Sequence, residues 1–168
     1  GAIRYTRNLM HALIREASIS FNDLVEMRFD NYYLDFWAQF AIPAGKRNGY
    51  NNMIGNTDVL TSAVSAGGMA VRTLPAFTFN LPLPFFFTRD SGVALPTAAL
   101  PYNEMRIQLQ FRDWNQLLVA YTAGATKGRV PQVGEIVLSN STSSQPIINA
   151  CNVWAEYAIV SNDERKRM

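Results

Sequence analysis

The sequence is poor in the residues from which catalytic and metal sites are most often built. Its 168 residues contain one cysteine and one histidine. A single cysteine excludes an internal disulfide framework and a zinc site made of several cysteines. No set of histidine, cysteine, aspartate and glutamate has the spacing of metal ligands, and no glycine-rich stretch has the spacing of a phosphate loop. We therefore predict no metal and no cofactor.

Net charge and long apolar runs are also scarce. The formal net charge is +2, and the only cluster of basic side chains is Arg165, Lys166 and Arg167. Because nucleic-acid binding needs lysine and arginine gathered on one face, no direct nucleic-acid partner is predicted. No apolar run approaches the roughly 20 residues that span a bilayer, and the first residues lack the apolar stretch of a signal peptide. A soluble chain without a transmembrane segment is expected.

A catalytic site is equally hard to assemble. His11 has no serine or cysteine nearby in a nucleophile motif, so a structural or solvent-exposed histidine is the better interpretation. The tripeptide DSG at 90–92 is similar to that of aspartic proteases, but Arg89 precedes it, and a cap on a short helical turn is favoured. Cys151 is interpreted as a small buried residue of a strand, and the sequon at Asn140 as chance. We predict no catalytic residues and no enzyme.

What the sequence does contain is a series of short segments in which apolar and polar residues alternate, as in strands with one buried face. Asn22 and Asp23 tolerate left-handed backbone angles and predict a tight hairpin. Strands are predicted at 14–21, 24–29, 105–111, 135–138 and 153–159. In the first strand, Ala17, Ile19 and Phe21 are predicted to face the core.

One helix is predicted after Asp30, which is a good N-cap residue. Four aromatic residues then follow at i, i+3, i+4 and i+7, which indicates a helix that buries one face and ends before Pro43. These residues are Tyr33, Phe36, Trp37 and Phe40. The segments 43–76 and 115–134 are rich in small polar residues and are predicted to be long loops, with a basic surface loop at 45–49.

The segment NLPLPFFFTRDSG, residues 80–92, suits neither a helix nor a central strand. In a strand, its leucines and the first and third phenylalanines share one face. Pro82 and Pro84 remove N–H donors from a single edge, so the segment can pair only on the other edge. We therefore predict a half-paired strand, with residues 81–85 bonded mainly to the strand at 105–111. Several strands, long loops and one helix together favour an antiparallel sandwich or barrel.

Several stretches of this sequence resemble one family, the major capsid proteins of large icosahedral DNA viruses of the iridovirus type. They are FNDLVEMRFDNYYLDFWAQF (21–40), GKRNGYNNMIGN (45–56) and LPLPFFFTRDSGVALPTAALPYNEMRIQLQFRDW (81–114). The two ends, RYTRNLMHALIREASISFN and AIVSNDERKRM, resemble the start and finish of the family's first jelly roll. Agreement is weak at 60–76 and 115–150.

The resemblance implies an all-β fold, an antiparallel jelly-roll sandwich with one short helix and long loops. Residues 1–168 would form the first jelly roll of a double jelly-roll protein, without its first strand and without the second jelly roll. It also implies a homotrimer, a capsomer of pseudo-hexagonal outline that tiles an icosahedral shell. Neighbouring capsomers and minor capsid proteins would be its partners. The expected location is the virion capsid, after assembly in the host cytoplasm.

A second function class is compatible with the same strand content. Exposed aromatic residues are typical of carbohydrate-binding β-sandwich modules, and Tyr32, Trp114 and Trp154 are candidates for such a surface. A binding module would bring these rings together in one groove. The capsid interpretation instead expects exposed apolar surface that contacts other subunits.

Overall fold

The computed structural model describes residues 1–64, 67–100, 102–136 and 147–167. Two antiparallel sheets and several short helices are present in this part of the chain. The strands are β1 (Ala2–Tyr5), β2 (Ile14–Phe21), β3 (Leu24–Phe29), β4 (Met105–Phe111) and β5 (Leu118–Tyr121). The helices are α1 (Leu9–Leu13), α2 (Asn31–Ala41), α3 (Ala44–Ile54), α4 (Asp58–Thr61) and α5 (Asn162–Arg165).

Each sheet is small. β1 pairs with β5 in antiparallel register, from Ala2 opposite Tyr121 to Tyr5 opposite Leu118. The second sheet has the strand order β3–β2–β4. The expectation of antiparallel sheets is therefore confirmed, although β1 and β5 occupy stretches where no strand was predicted.

By its internal contacts the chain divides into two compact units. The first unit comprises Gly1–Ala17, Phe29–Pro82 and Leu109–Ile147. The second comprises Ser18–Arg28, Leu83–Gln108 and Ile148–Met168.

The predicted hairpin between β2 and β3 is confirmed. Asn22 and Asp23 have φ values of 48° and 67°, the left-handed angles that a two-residue turn of this kind requires. Asparagine and aspartate adopt these angles at low cost because their short polar side chains bond locally. The burial of β2 differs from the prediction, since Ser18 and Ser20 are only 5% and 8% exposed. Both faces of β2 are thus covered in this stretch.

The predicted helix after Asp30 is confirmed as α2, but the predicted buried face is only partly right, because Tyr33 and Trp37 are partly buried while Phe36 and Phe40 are exposed. The Asp30 carboxylate accepts the backbone N–H of Tyr33 at 2.9 Å, which caps the helix. Leu34 and Ala38 are the buried residues of α2. Phe36 and Phe40 are 62% and 79% exposed. The sequence carries apolar residues around most of the helix, so spacing alone did not identify the inner face.

The predicted loop at 43–76 begins with two helices, which corrects that prediction. α3 starts after Pro43, and its C-terminus is followed by Gly55 at φ 78°. A Cβ at Gly55 would lie 2.8 Å from the Phe79 ring, so only glycine fits there. Residues 45–49 are part of α3 rather than a basic loop. Arg47 donates to the Gln39 side chain at 2.8 Å and to the Ile42 carbonyl at 3.2 Å.

The half-paired strand predicted at 81–85 is wrong. Leu83 lies outside any sheet, and a 3-10 helical turn follows at Phe86–Thr88. The Leu83 carbonyl accepts the backbone N–H of Phe85 at 2.9 Å and the Thr88 hydroxyl at 3.0 Å. Local acceptors thus replace the ladder that the two prolines weaken. Phe85 is nevertheless buried, at 1% exposure, and its ring stacks on that of Phe87 at 5.7 Å.

Strand β4 has the predicted bounds, but it does not bury one face. Met105 and Ile107 are each 37% exposed, and Phe111 is 38% exposed. The strand predicted at 153–159 is wrong, because these residues belong to no strand and Ile159 is fully exposed. Cys151 is likewise exposed and not a buried strand residue.

In the strand predicted at 135–138, Glu135 and Ile136 belong to no strand, and the last two residues lie outside the described residues, as does Asn140.

Truncation of the buried face of α2 should destabilise the protein far more than truncation of its exposed face. Leu34 is fully buried, so Leu34→Ala should lower the free energy of unfolding by about 2–5 kcal/mol. Phe36→Ala is the matched control and should change it by less than about 0.5 kcal/mol, since most of its ring is already in water. Urea titrations of the unassembled full-length protein would measure both, and equal losses would contradict the assignment of the buried face.

Candidate functional site

The most developed polar site of the first unit is a partly buried hydrogen-bond chain through His11. His11 Nδ1 lies 2.7 Å from Asp35 Oδ1, and His11 Nε2 lies 2.7 Å from the Tyr50 hydroxyl. The three residues come from α1, α2 and α3, respectively. His11 is 1% exposed and Tyr50 is 7% exposed. Each of the three helices therefore contributes one side chain to the hydrogen-bond chain.

Asn8 extends this chain at the start of α1. Its side-chain amide donates to Asp35 Oδ1 at 3.0 Å, and its backbone N–H donates to Asn56 Oδ1 at 3.3 Å. Asn8 has φ 49° and ψ 54°, a left-handed conformation that asparagine tolerates. Asp35 is thus bonded to both Asn8 and His11, and the turn before α1 is anchored to Asn56, two residues after the end of α3.

Donor and acceptor roles in this hydrogen-bond chain can be assigned for an ionised Asp35 and a neutral His11. Burial, followed by the negative charge of Asp35, raises the pKa of Tyr50 to about 12, so its hydroxyl keeps its proton at neutral pH. An ionised Asp35 can only accept, so His11 Nδ1 carries the proton that is donated to it. In the neutral imidazole, Nε2 then accepts the Tyr50 O–H.

A cleft of about 310 Å³ lies beside this hydrogen-bond chain and is lined mostly by polar residues. Its described lining residues include no serine, threonine or cysteine, and the hydroxyl that faces His11 is that of Tyr50. Both His11 nitrogens already have partners. His11 is therefore buried and not exposed to solvent, and its hydrogen bonds join three helices.

The other residues considered from the sequence lie elsewhere. Asp90 caps a 3-10 helical turn, with its carboxylate accepting the backbone N–H of Gly92 at 3.1 Å, as predicted. Tyr32 and Trp114 belong to the first unit and Trp154 to the second. Among the described residues, no group of three or more histidine, cysteine, aspartate or glutamate side chains could hold a metal ion. No helix in those same ranges combines the length and the apolar character needed to cross a bilayer.

An exposed row of aromatic rings is the clearest candidate for an interaction surface. We call Tyr32, Phe36 and Phe40 of α2 the aromatic ridge. Their side chains are 75%, 62% and 79% exposed, and the Phe36 and Phe40 rings are 4.6 Å apart. Exposed aromatic rings of this size mark interaction surfaces more often than isolated leucines do. The sequence analysis did not identify this row, since it placed Phe36 and Phe40 on the buried face of the helix.

Comparison with known proteins gives a consistent result. A family model described as "Major capsid protein N-terminus" matches residues 1–160. A major capsid protein of Tipula iridescent virus is 56% identical over 99% of this chain and 36% of its own length. Those of Invertebrate iridescent virus 6 and Frog virus 3 are 55% and 42% identical over 100% of this chain, and over 36% and 35% of their own lengths. The chain therefore spans about a third of these relatives.

Removal of the Tyr50 hydroxyl should weaken the junction of the three helices. In Tyr50→Phe the buried Nε2 of His11 loses its partner, which should lower the free energy of unfolding by about 1–3 kcal/mol. Tyr32→Phe removes an exposed hydroxyl and is the matched control, with no measurable change expected. Chemical denaturation of both full-length variants would test this, and a Tyr50→Phe protein as stable as the control would show that the bond is dispensable.

Proposed function

Since this chain belongs to the family of major capsid protein N-terminal regions, we propose that it is the N-terminal part of a subunit that builds a virus shell. The observation that carries the proposal is 56% identity over 99% of the chain to a major capsid protein. The identity extends over nearly the whole chain, so it includes residues of the core as well as residues of the surface. A structural capsid role follows, and no catalytic step is part of the proposal.

The proposed architecture is a jelly roll. Residues 1–168 would belong to the first of two successive jelly rolls, and the rest of the subunit would supply the strands that this chain lacks. The short sheets support this proposal, because β3 and β4 are both edge strands of their sheet. Open edges of this kind are completed by further strands in stable sandwiches. The half-exposed apolar side chains of β4 would gain cover in the same way.

The proposed assembly is a homotrimer with a pseudo-hexagonal outline. Such capsomers would tile an icosahedral shell, in contact with neighbouring capsomers and minor capsid proteins, after assembly in the host cytoplasm. The apolar surface of the second unit supports a role in association, since Val153, Trp154 and Tyr157 are 65%, 89% and 81% exposed. Symmetric self-association is the usual way in which such surfaces are buried. The three relatives all carry the name major capsid protein, which favours this role over a carbohydrate-binding module.

The full-length protein should be a trimer in solution. Light scattering on the purified protein should give three times the mass of the subunit, because the apolar surfaces described above require partners. Residues 1–168 expressed alone should aggregate or remain unfolded, since their sheet edges would be open. A monodisperse monomer in both preparations would contradict the proposal.

A further inference from the structure

The cleft beside the His11 hydrogen-bond chain is bordered by two arginine side chains. Arg7 precedes α1 and Arg47 lies in α3, so the two cations come from different parts of the first unit. Asp35 is the only carboxylate among the described lining residues, and its Oδ1 is bonded to Asn8 and His11. Guanidinium groups stay protonated in proteins, so two of them and one carboxylate leave the cleft with a net positive charge.

Neither arginine is neutralised by a carboxylate within the ranges that the structure describes. Arg47 donates to Gln39 Oε1 at 2.8 Å and to the backbone carbonyls of Gln39 and Ile42 at 3.1 and 3.2 Å, and these acceptors are all uncharged. Arg7 is exposed and has no hydrogen bond or ion pair to another described residue. A guanidinium has more N–H donors than these bonds use, so both side chains retain donors for an anionic partner.

Amide side chains add further donors to the cleft. Asn51 Oδ1 accepts from Asn56 Nδ2 at 3.5 Å, and Gln39 Oε1 accepts from Arg47. The amide oxygens of Asn51 and Gln39 are therefore occupied, whereas their NH₂ groups have no partner among the described residues. Donors without a partner thus outnumber acceptors in this cleft, which suits a ligand made of acceptor oxygens.

The size and charge of the cleft indicate the class of ligand. Its volume of about 310 Å³ lies at the lower end of the range for small-molecule pockets, roughly 300–1,000 Å³. The planar fork of arginine matches two oxygens of one carboxylate or phosphate group. Phosphate has a larger charge and more acceptor oxygens than a carboxylate, so it can pair with two guanidinium groups and with amides at once. Phosphate therefore fits this set of donors better than a single acidic side chain does.

We propose that the cleft is a binding site for a small oxyanion of the phosphate class, held by Arg7 before α1 and by Arg47 of α3. The bound anion would join the turn before α1 to α3, in addition to the bond between Asn8 and Asn56. Because it would bind the folded unit and not the unfolded chain, it would also stabilise the junction of the helices. The inference goes beyond the proposed capsid role and does not depend on it.

Titration of the purified full-length protein with inorganic phosphate tests the site. Isothermal titration calorimetry in a chloride buffer of constant ionic strength should show one saturable site per chain. Arg7→Gln should weaken binding about tenfold or more, since it removes charge-assisted hydrogen bonds to the anion. Arg72→Gln removes an exposed arginine of the first unit that does not line the cleft. This matched control should leave the dissociation constant unchanged.

Chemical modification shows whether the cleft is open in the full-length wild-type protein. Phenylglyoxal modifies accessible arginine side chains, and mass spectrometry locates the modified residues. Arg7 should react in the absence of phosphate and should be protected by phosphate, whereas Arg72 should react equally in both conditions. Acetate at the same ionic strength should protect Arg7 much less, because it offers one charge and fewer oxygens. This experiment needs no variant, so it remains decisive even if Arg7→Gln fails to fold.

Four results would overturn the proposal. Wild-type protein without saturable phosphate binding would exclude the site, and an unchanged affinity in folded Arg7→Gln would place the binding elsewhere. An Arg7 that phenylglyoxal cannot reach without phosphate would mean that the rest of the subunit fills the cleft. Equal protection by acetate would mean that the cleft does not select the phosphate class. The proposed capsid role is tested separately by the mass of the full-length protein, so the two failures can be told apart.

Discussion

The partly buried chain of hydrogen bonds from Asp35 through His11 to Tyr50 is the interaction on which the first unit depends. It uses the only histidine of the sequence, and it joins α1, α2 and α3 through side chains and not through backbone pairing. Such a chain is strong when every member has a partner and costly when one is missing, because unpaired polar groups lose their hydration. The orientation of α2, and with it the outward side of the helix, is therefore fixed through the half-exposed Asp35 by its bond to the buried His11.

The bond between His11 and Asp35 therefore also affects the exposed side of α2. Asp35 and Phe36 are neighbours in the sequence, yet one is bonded to His11 and the other is mostly in water. A helix of 11 residues fixes both directions at once. In the proposed capsid assembly, the interior bonds would matter without touching another subunit, because they determine where the exposed rings are held. In a shell built from many copies, small errors of orientation would be repeated at every contact.

The sequence was informative where structure is local. Asn22 and Asp23 predicted the turn and Asp30 predicted the helix cap, because each acts on backbone atoms within three residues. The resemblance of the longer stretches predicted the family correctly. Pairing at 81–85 and 153–159 was predicted wrongly, since a strand requires a distant partner that alternation does not reveal. Helix α3 was missed because only Tyr50 and Ile54 are buried in it, too few to form an apolar stripe. The partners of His11 left no signal, since Asp35 and Tyr50 are brought to it only by the packing of three helices.

The segment with two prolines has a consequence for production of the protein. Leu81 to Phe87 holds three consecutive phenylalanines, and apolar runs of this kind stack readily into cross-β aggregates when chains are crowded. Pro82 and Pro84 cannot donate to a growing ladder, and the Leu83 carbonyl between them is already occupied by Phe85 and Thr88. The prolines therefore act as gatekeepers beside a hydrophobic stretch that the fold needs. The proposed capsid role requires many copies of the chain, and the two prolines would hinder the growth of fibrils from newly made copies that have not yet assembled.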